Sequence, residues 1–114
     1  MEARAISRFQ RISAFKAREV TRLIQGRPAA EALADLQLMP RKAARLTAKT
    51  LKSAIANAEN SEYNSVSADE LMIKEAVVGE GPTMHRFRPR ARGAAGRLRK
   101  RTSHIKITVT DHQG

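Results

Sequence analysis

GEGPTMHRFRPRARGAAGRLRKR, residues 79–101, decides how the rest of the chain must be read. Between Glu80 and Arg101 stand eight basic residues, Arg86, Arg88, Arg90, Arg92, Arg97, Arg99, Lys100 and Arg101. The only acid there is Glu80, so these 22 residues hold +7 of the chain's +11. Met84, Phe87 and Leu98 are the only bulky apolar side chains among them. Such a segment buries too little apolar surface to fold on itself, and its like charges extend it. It reads as an arm that a polyanion orders.

Its flanks say what kind of arm. Glu70–Val78 reads as a strand with Leu71, Ile73 and Val77 on one face and Met72, Ala76 and Val78 on the other. Thr102–Thr110 alternates Ile105, Ile107 and Val109 with His104, Lys106, Thr108 and Thr110. A structureless loop of about 20 residues inside a small domain is improbable unless it is functional. Continuing both strands outward resolves this as a β-hairpin of about ten residues per side, projecting about 30 Å. Gly81-Pro82 marks a bend at its root, and Arg90–Gly93 the tip, where Gly93 permits positive φ. Residues 1–79 and 102–114 then form a globular domain into which the arm, 80–101, is inserted.

Upstream, Ala3–Gln10 reads as a short strand with neither face cleanly apolar. Ser13 is an N-cap candidate for a helix to about Gln25, with an apolar stripe at Ala17, Val20, Leu23 and Ile24. Gly26 supplies a left-handed stop, and Pro28 opens a second helix ending near Leu38 with Ala32, Leu33 and Leu36 buried. Pro40 is expected to open the third and longest helix, to about Glu59. Ala44, Ala48, Leu51, Ile55 and Ala58 recur at spacings of four, three, four and three, an alanine-rich stripe that allows close packing. Ser61–Asp69 is a loop in which Ser67 and Glu70 match a capping box but read as a turn. The fold class is α+β: three helices on an antiparallel sheet, with a long basic hairpin.

A pI near 11.3 points to a phosphate-rich partner bound through counterion release. Arginine outnumbers lysine in the arm and suits bidentate phosphate contacts. In the first and third helices basic residues outnumber acids eight to two. A merely solvated face mixes signs, so Lys16, Arg18, Arg22, Arg41, Lys42, Arg45, Lys49 and Lys52 are read as RNA-facing. Arg86, Arg88, Arg90 and Arg92 alternate, which would set them along one side of a strand. Phe87 either stacks on a base or packs against the arm's own partner strand.

Other chemistries find no footing. The chain has no cysteine, which removes disulfides and thiolate metal sites. His85, His104 and His112 lack metal-ligand spacing, and no nucleophile–base pair, phosphate loop or cofactor motif appears, so neither metal, cofactor nor enzyme activity is expected. No apolar run approaches the roughly 18 residues of a membrane span, and the N-terminus lacks a secretory core. A cytoplasmic protein without membrane insertion is expected. A helix-turn-helix reading of the second and third helices fails because the third is too long and its stripe is buried. The rival from another class is an architectural DNA-binding protein with a basic β-arm and a proline tip, Arg88-Pro89-Arg90. Such proteins are usually dimers with a large apolar face, and no helix here has one to spare.

KAARLTAKTLKSAIANAEN (42–60), EGPTMHRFRPRARG (80–93) and KRTSHI (100–105), with RISAFKAR (11–18), resemble the bacterial large-subunit ribosomal protein twenty-two family. The resemblance covers nearly the whole chain. It implies three helices on a three-stranded sheet, and a hairpin that penetrates the large subunit with its tip lining the peptide exit tunnel. It also implies binding of large-subunit ribosomal RNA, a part in early assembly, neighbouring ribosomal proteins and the nascent peptide as partners, and no homo-oligomer. RNA contacts are expected at Arg11, Lys16, Arg18, Arg22, Arg41, Lys42, Arg45, Lys49, Arg86, Arg97, Arg99, Lys100, Arg101, Thr102, Ser103 and His104. The tunnel-lining tip is expected at Met84, His85, Arg86, Arg88, Pro89, Arg90, Ala91, Arg92 and Gly93. Residues matching Met84–Arg86 are linked in the family to macrolide response. The chain departs from the family at Ala94 and Gly96, where Arg and Asp are common, and at Phe15, usually polar or basic.

Overall fold

The structure, a computed structural model, describes residues 1–61, 66–81, 84–89, 95–100 and 102–111, with 84–89 and 95–100 described as backbone. Three strands form the antiparallel sheet: β1 (Glu2–Gln10), β2 (Met72–Glu80) and β5 (Ser103–Thr110), in the order β1-β5-β2. Helices α1 (Ala14–Ile24), α2 (Ala29–Leu38) and α3 (Lys42–Glu59) supply the rest of the core. Between β2 and β5 lie β3 (Met84–Pro89) and β4 (Ala95–Lys100), paired with each other antiparallel as a separate ribbon. The α+β reading is thus observed.

Three cross-strand rows make the inner face of the sheet: Ala3–Val109–Ile73, Ala5–Ile107–Ala76 and Ser7–Ile105–Val78. The central β5 residues of these rows are fully buried. Ala3, Ala5 and Ser7 are small, so α3 can lie close over β1, and it meets them with its own small residues. Ala44, Ala48, Leu51, Ile55 and Ala58 are all buried as the spacing predicts, joined by Ala43, Thr47, Thr50 and Ala54. Where strand and helix touch, the Ser7 and Thr50 hydroxyls share a hydrogen bond of 2.6 Å. Asn57 Nδ2 donates to the Arg4 carbonyl at 2.9 Å further along.

Local signals hold at the ends of α1. The Ser13 hydroxyl accepts from the Lys16 amide at 3.3 Å, and Gly26 takes φ +76° just beyond the helix. The apolar stripe differs in one place. Thr21 is buried and Leu23 is 53% exposed, because the helix turns its Val20–Thr21–Ile24 side to the sheet. Thr21 Oγ1 donates back to the Arg18 carbonyl, which lets a hydroxyl sit there. Pro40 lies outside α3, whose N-cap is Arg41 with extended backbone and no side-chain cap. The turn after the loop is one 3₁₀ turn, Ala68–Glu70.

The largest correction is in β2. The alternation expected for Leu71, Ile73 and Val77 is broken by a bulge between Ile73 and Glu75. The extra residue, Lys74, shifts the phase by one, so Ala76 and Val78 join Ile73 on the core face while Val77 turns outward. The two expected arm strands are also interrupted. Pairing runs to Glu80↔Ser103, Gly81 N–H donates to the Thr102 carbonyl at 2.9 Å, and pairing resumes at Met84↔Lys100. A side chain at Gly81 would press on the Thr102 hydroxyl and the His104 ring, which would have to shift to admit it. Pro82, and the expected turn at Arg90–Gly93, lie outside the described residues.

Candidate nucleic-acid interface

Three long-range bonds bring Arg11, Arg41, Lys42 and Ser103 together at one end of the domain. Lys42 Nζ, in the first turn of α3, donates to the Arg11 carbonyl at 2.6 Å, just before α1. Arg41 Nη1 meets Glu19 Oε2 of α1 at 3.3 Å. Ser103 Oγ, at the start of β5, donates to the Ile12 carbonyl at 2.6 Å. The N-terminal ends of α1 and α3, the last residues of β1 and β2 and the first of β5 therefore meet where the chain departs into β3. Arg11, Lys16, Arg22, Arg41, Lys42, Arg45 and Lys49 are all exposed. Arg41, Arg45 and Lys49 follow at intervals of four, a single line along the solvent side of α3.

Five acids lie at the opposite end. Glu2, Glu59, Asp69, Glu70 and Asp111 sit at or beyond the far ends of their elements, away from the arm. Lys74 Nζ bonds Glu2 across the outer face of β5, which lowers the Glu2 carboxyl and raises the Lys74 amine, first through that hydrogen bond and then through charge. Of the acids near the arm, Glu19 is paired with Arg41 and Glu80 is exposed at the root. Neither α1 nor α3 carries an acid in its first turn, so their positive dipole ends add to the basic end rather than offset it.

Several expected contact residues have work inside the domain. Arg18 is half-buried, and its Nη2 donates to the Val78 carbonyl at 3.0 Å. Ser103 is fully buried, and Thr102 is buried beside it. His104 Nδ1 accepts the Phe9 N–H at 3.0 Å, and its ring meets the Phe9 ring edge-on at 4.9 Å between centroids. These side chains shape the root of the arm from within. In the arm, β3 sets His85 opposite Arg99, Arg86 opposite Leu98, Phe87 opposite Arg97 and Arg88 opposite Gly96. Met84, Pro89 and Lys100 are placed in the same ribbon. Arg90, Ala91, Arg92, Gly93 and Arg101 lie outside the described residues, as do Ala94 and His112. Phe15 lies on α1, 73% exposed.

The sequence reading gave no site role to Phe9, Lys106 or Gly79, which the fold places beside His104. The sequence signal was slight: one of only three phenylalanines, following Arg8 one residue before the end of a strand. Among the described residues there is no group of three or more His, Asp or Glu able to hold a metal, and no helix long and apolar enough to cross a membrane.

Comparison with known proteins supplies the family. The family described as ribosomal protein L22p/L17e matches residues 5–110. The large ribosomal subunit protein uL22 of Opitutus terrae is 53% identical over 111 residues, covering 97% of this chain and 96% of the relative. That of Chloroflexus aggregans is 51% identical over 111 residues, with the same coverage. That of Akkermansia muciniphila is 49% identical over 114 residues, the full length of both. These are structural proteins of the ribosome, not enzymes. With a family match across almost all of its length and relatives near half identical end to end, the chain belongs to the ribosomal protein L22p/L17e family of large-subunit ribosomal proteins.

Proposed function

We propose that the chain binds large-subunit ribosomal RNA, supports its assembly, and lines the peptide exit tunnel with the tip of its arm. The observation that carries this is the position of the β3–β4 ribbon, inserted between β2 and β5 at the end where the exposed cations gather. Principal extents of 62 × 27 × 20 Å support an arm, 80–101, standing away from a domain of residues 1–79 and 102–114. Arg11, Lys16, Arg22, Arg41, Lys42, Arg45 and Lys49 bind phosphates from the domain, and Arg86, Arg97, Arg99, Lys100 and Arg101 grip RNA along the arm. Arg18, Thr102, Ser103 and His104 hold the root in shape for that contact. Met84–Arg86 and Arg88–Gly93 face the tunnel and the nascent peptide. The chain works in the ribosome, among neighbouring large-subunit proteins and without a second copy of itself.

Co-sedimentation with large subunits at high salt tests the reading against an architectural DNA-binding role. The expected result is retention on the subunit; recovery mainly on the nucleoid would sink it. Deleting Met84–Arg86 tests the tip. The domain should keep its thermal transition and subunits should assemble, while the response to tunnel ligands or nascent chains changes.

A further inference from the structure

Phe9 has a backbone unlike any other described residue outside glycine. Its φ is +55°, in the left-handed region that bulky side chains avoid. At Gly26 the chain uses glycine for such a φ; here it places an aromatic ring. The ring is 60% exposed, so burial in the core does not account for an aromatic here. The irregularity is built in from outside. Pairing of β1 with β5 jumps from Ser7↔Ile105 to Gln10↔Ser103, leaving Arg8 and Phe9 to face His104 alone. The Phe9 N–H is turned out of the ladder and onto His104 Nδ1. Strain of this kind persists where the surroundings over-determine it, and it concentrates at binding sites.

The surroundings match one kind of ligand. His104 meets the Phe9 ring at 87°, with centroids 4.9 Å apart, so it props a ring that stays largely exposed. On the next strand the register partner of His104 is Gly79, where a side chain would meet nothing within 4 Å. Beyond it, Gly81 lies close against His104. The floor beside the rings is thus bare backbone. Exposed Arg8 and Arg11 flank Phe9 in sequence, and Lys106 follows His104 on the same face of β5. Glu80 pairs opposite Ser103 and so belongs to the other face of the sheet.

We infer that Phe9, propped by His104 at the root of the arm, is a stacking platform for an unpaired RNA base whose flanking phosphates meet Arg8 and Arg11. An aromatic face among cations recognises a base and its backbone together. This rests on the RNA-binding reading above and names one contact within it.

The full chain is titrated with a transcript of large-subunit ribosomal RNA over a range of salt, alongside Phe9→Leu and Phe9→Trp. Phe9→Leu should bind roughly 5- to 150-fold more weakly, the loss of one stacked base, with an unchanged salt slope. Phe9→Trp should bind like the unaltered chain. The chain has no tryptophan, so the introduced indole reports alone, and stacking should quench its fluorescence on binding. Quenching tests the platform even if Phe9→Leu folds poorly. Binding by the unaltered chain with no loss in Phe9→Leu, or with no quenching in Phe9→Trp, overturns the platform and leaves the RNA reading standing. No salt-dependent binding by the unaltered chain overturns the RNA reading itself.

Discussion

The guanidinium of Arg18 donates to the main-chain carbonyl of Val78 at 3.0 Å, joining α1 to the last turn-side residues of β2 across 60 positions of sequence. It is one of a series along the same strand. Gln25 Nε2 bonds the Ala76 carbonyl. Gly26 N–H donates to the Ile73 carbonyl at 2.8 Å, Ile73 N–H to the Arg27 carbonyl at 2.9 Å, and Ala29 N–H to the Leu71 carbonyl at 2.9 Å. β2 is an edge strand, and an open edge invites pairing with other chains. Here α1 and the turn after it cover that edge, up to the point where the arm begins.

Arg18→Met keeps the aliphatic stem and removes the donor. It should lower unfolding free energy by about 1 kcal/mol, the value of a charged hydrogen bond discounted for partial exposure. Urea denaturation of the free protein checks this. An unchanged midpoint would show that this bond adds nothing to the stability of the free protein.

Ser103→Ala should cost about 1–2 kcal/mol, because it strips a buried carbonyl, that of Ile12, of its donor. The salt slope of RNA binding should stay as in the unaltered chain, since the buried hydroxyl meets no phosphate. A stable variant with weakened RNA binding would contradict this.

Phe9→Gly should be more stable than Phe9→Ala by about 1 kcal/mol, because glycine adopts the left-handed backbone freely and alanine does not. Elsewhere in a strand the order is the reverse. Thermal unfolding of both variants decides it, and alanine being the more stable would show that the positive φ is not held in solution.

Arg45→Ala and Lys49→Ala should each flatten the slope of log K against log salt by roughly 0.7–0.9 if each loses one phosphate contact. Lys74→Ala, at the far end of the sheet, should leave the slope unchanged. Equal effects at both ends would remove the argument from charge segregation.

The Glu2–Lys74 pair gives a small pH dependence of stability. The lowered Glu2 carboxyl contributes fully above the ordinary glutamate range, and that contribution is lost as pH falls through its lowered value. The raised Lys74 amine contributes below the ordinary lysine range and loses it as pH rises through its raised value. Both groups are exposed, so Glu2→Gln should remove the acid-side part, and high salt should shrink it in the unaltered chain.

Much of this architecture was legible in the residues themselves. The Ser13 cap, the Gly26 stop, the alanine stripe of α3 and the alternation of β5 are local properties: they follow from hydroxyl reach, from φ preference and from a period of 3.6 or 2. The basic run at 80–101 needed no structure to be recognised as surplus to a core. What tertiary structure decided were features set by distant partners. Lys74 bulges and reverses the facing of β2, Arg18 serves the edge of that strand, and Phe9 takes a left-handed backbone because His104, 95 residues away, accepts its N–H. The gathering of cations at one end belongs with these. Charge can be counted along a chain, but only packing decides which charges stand together.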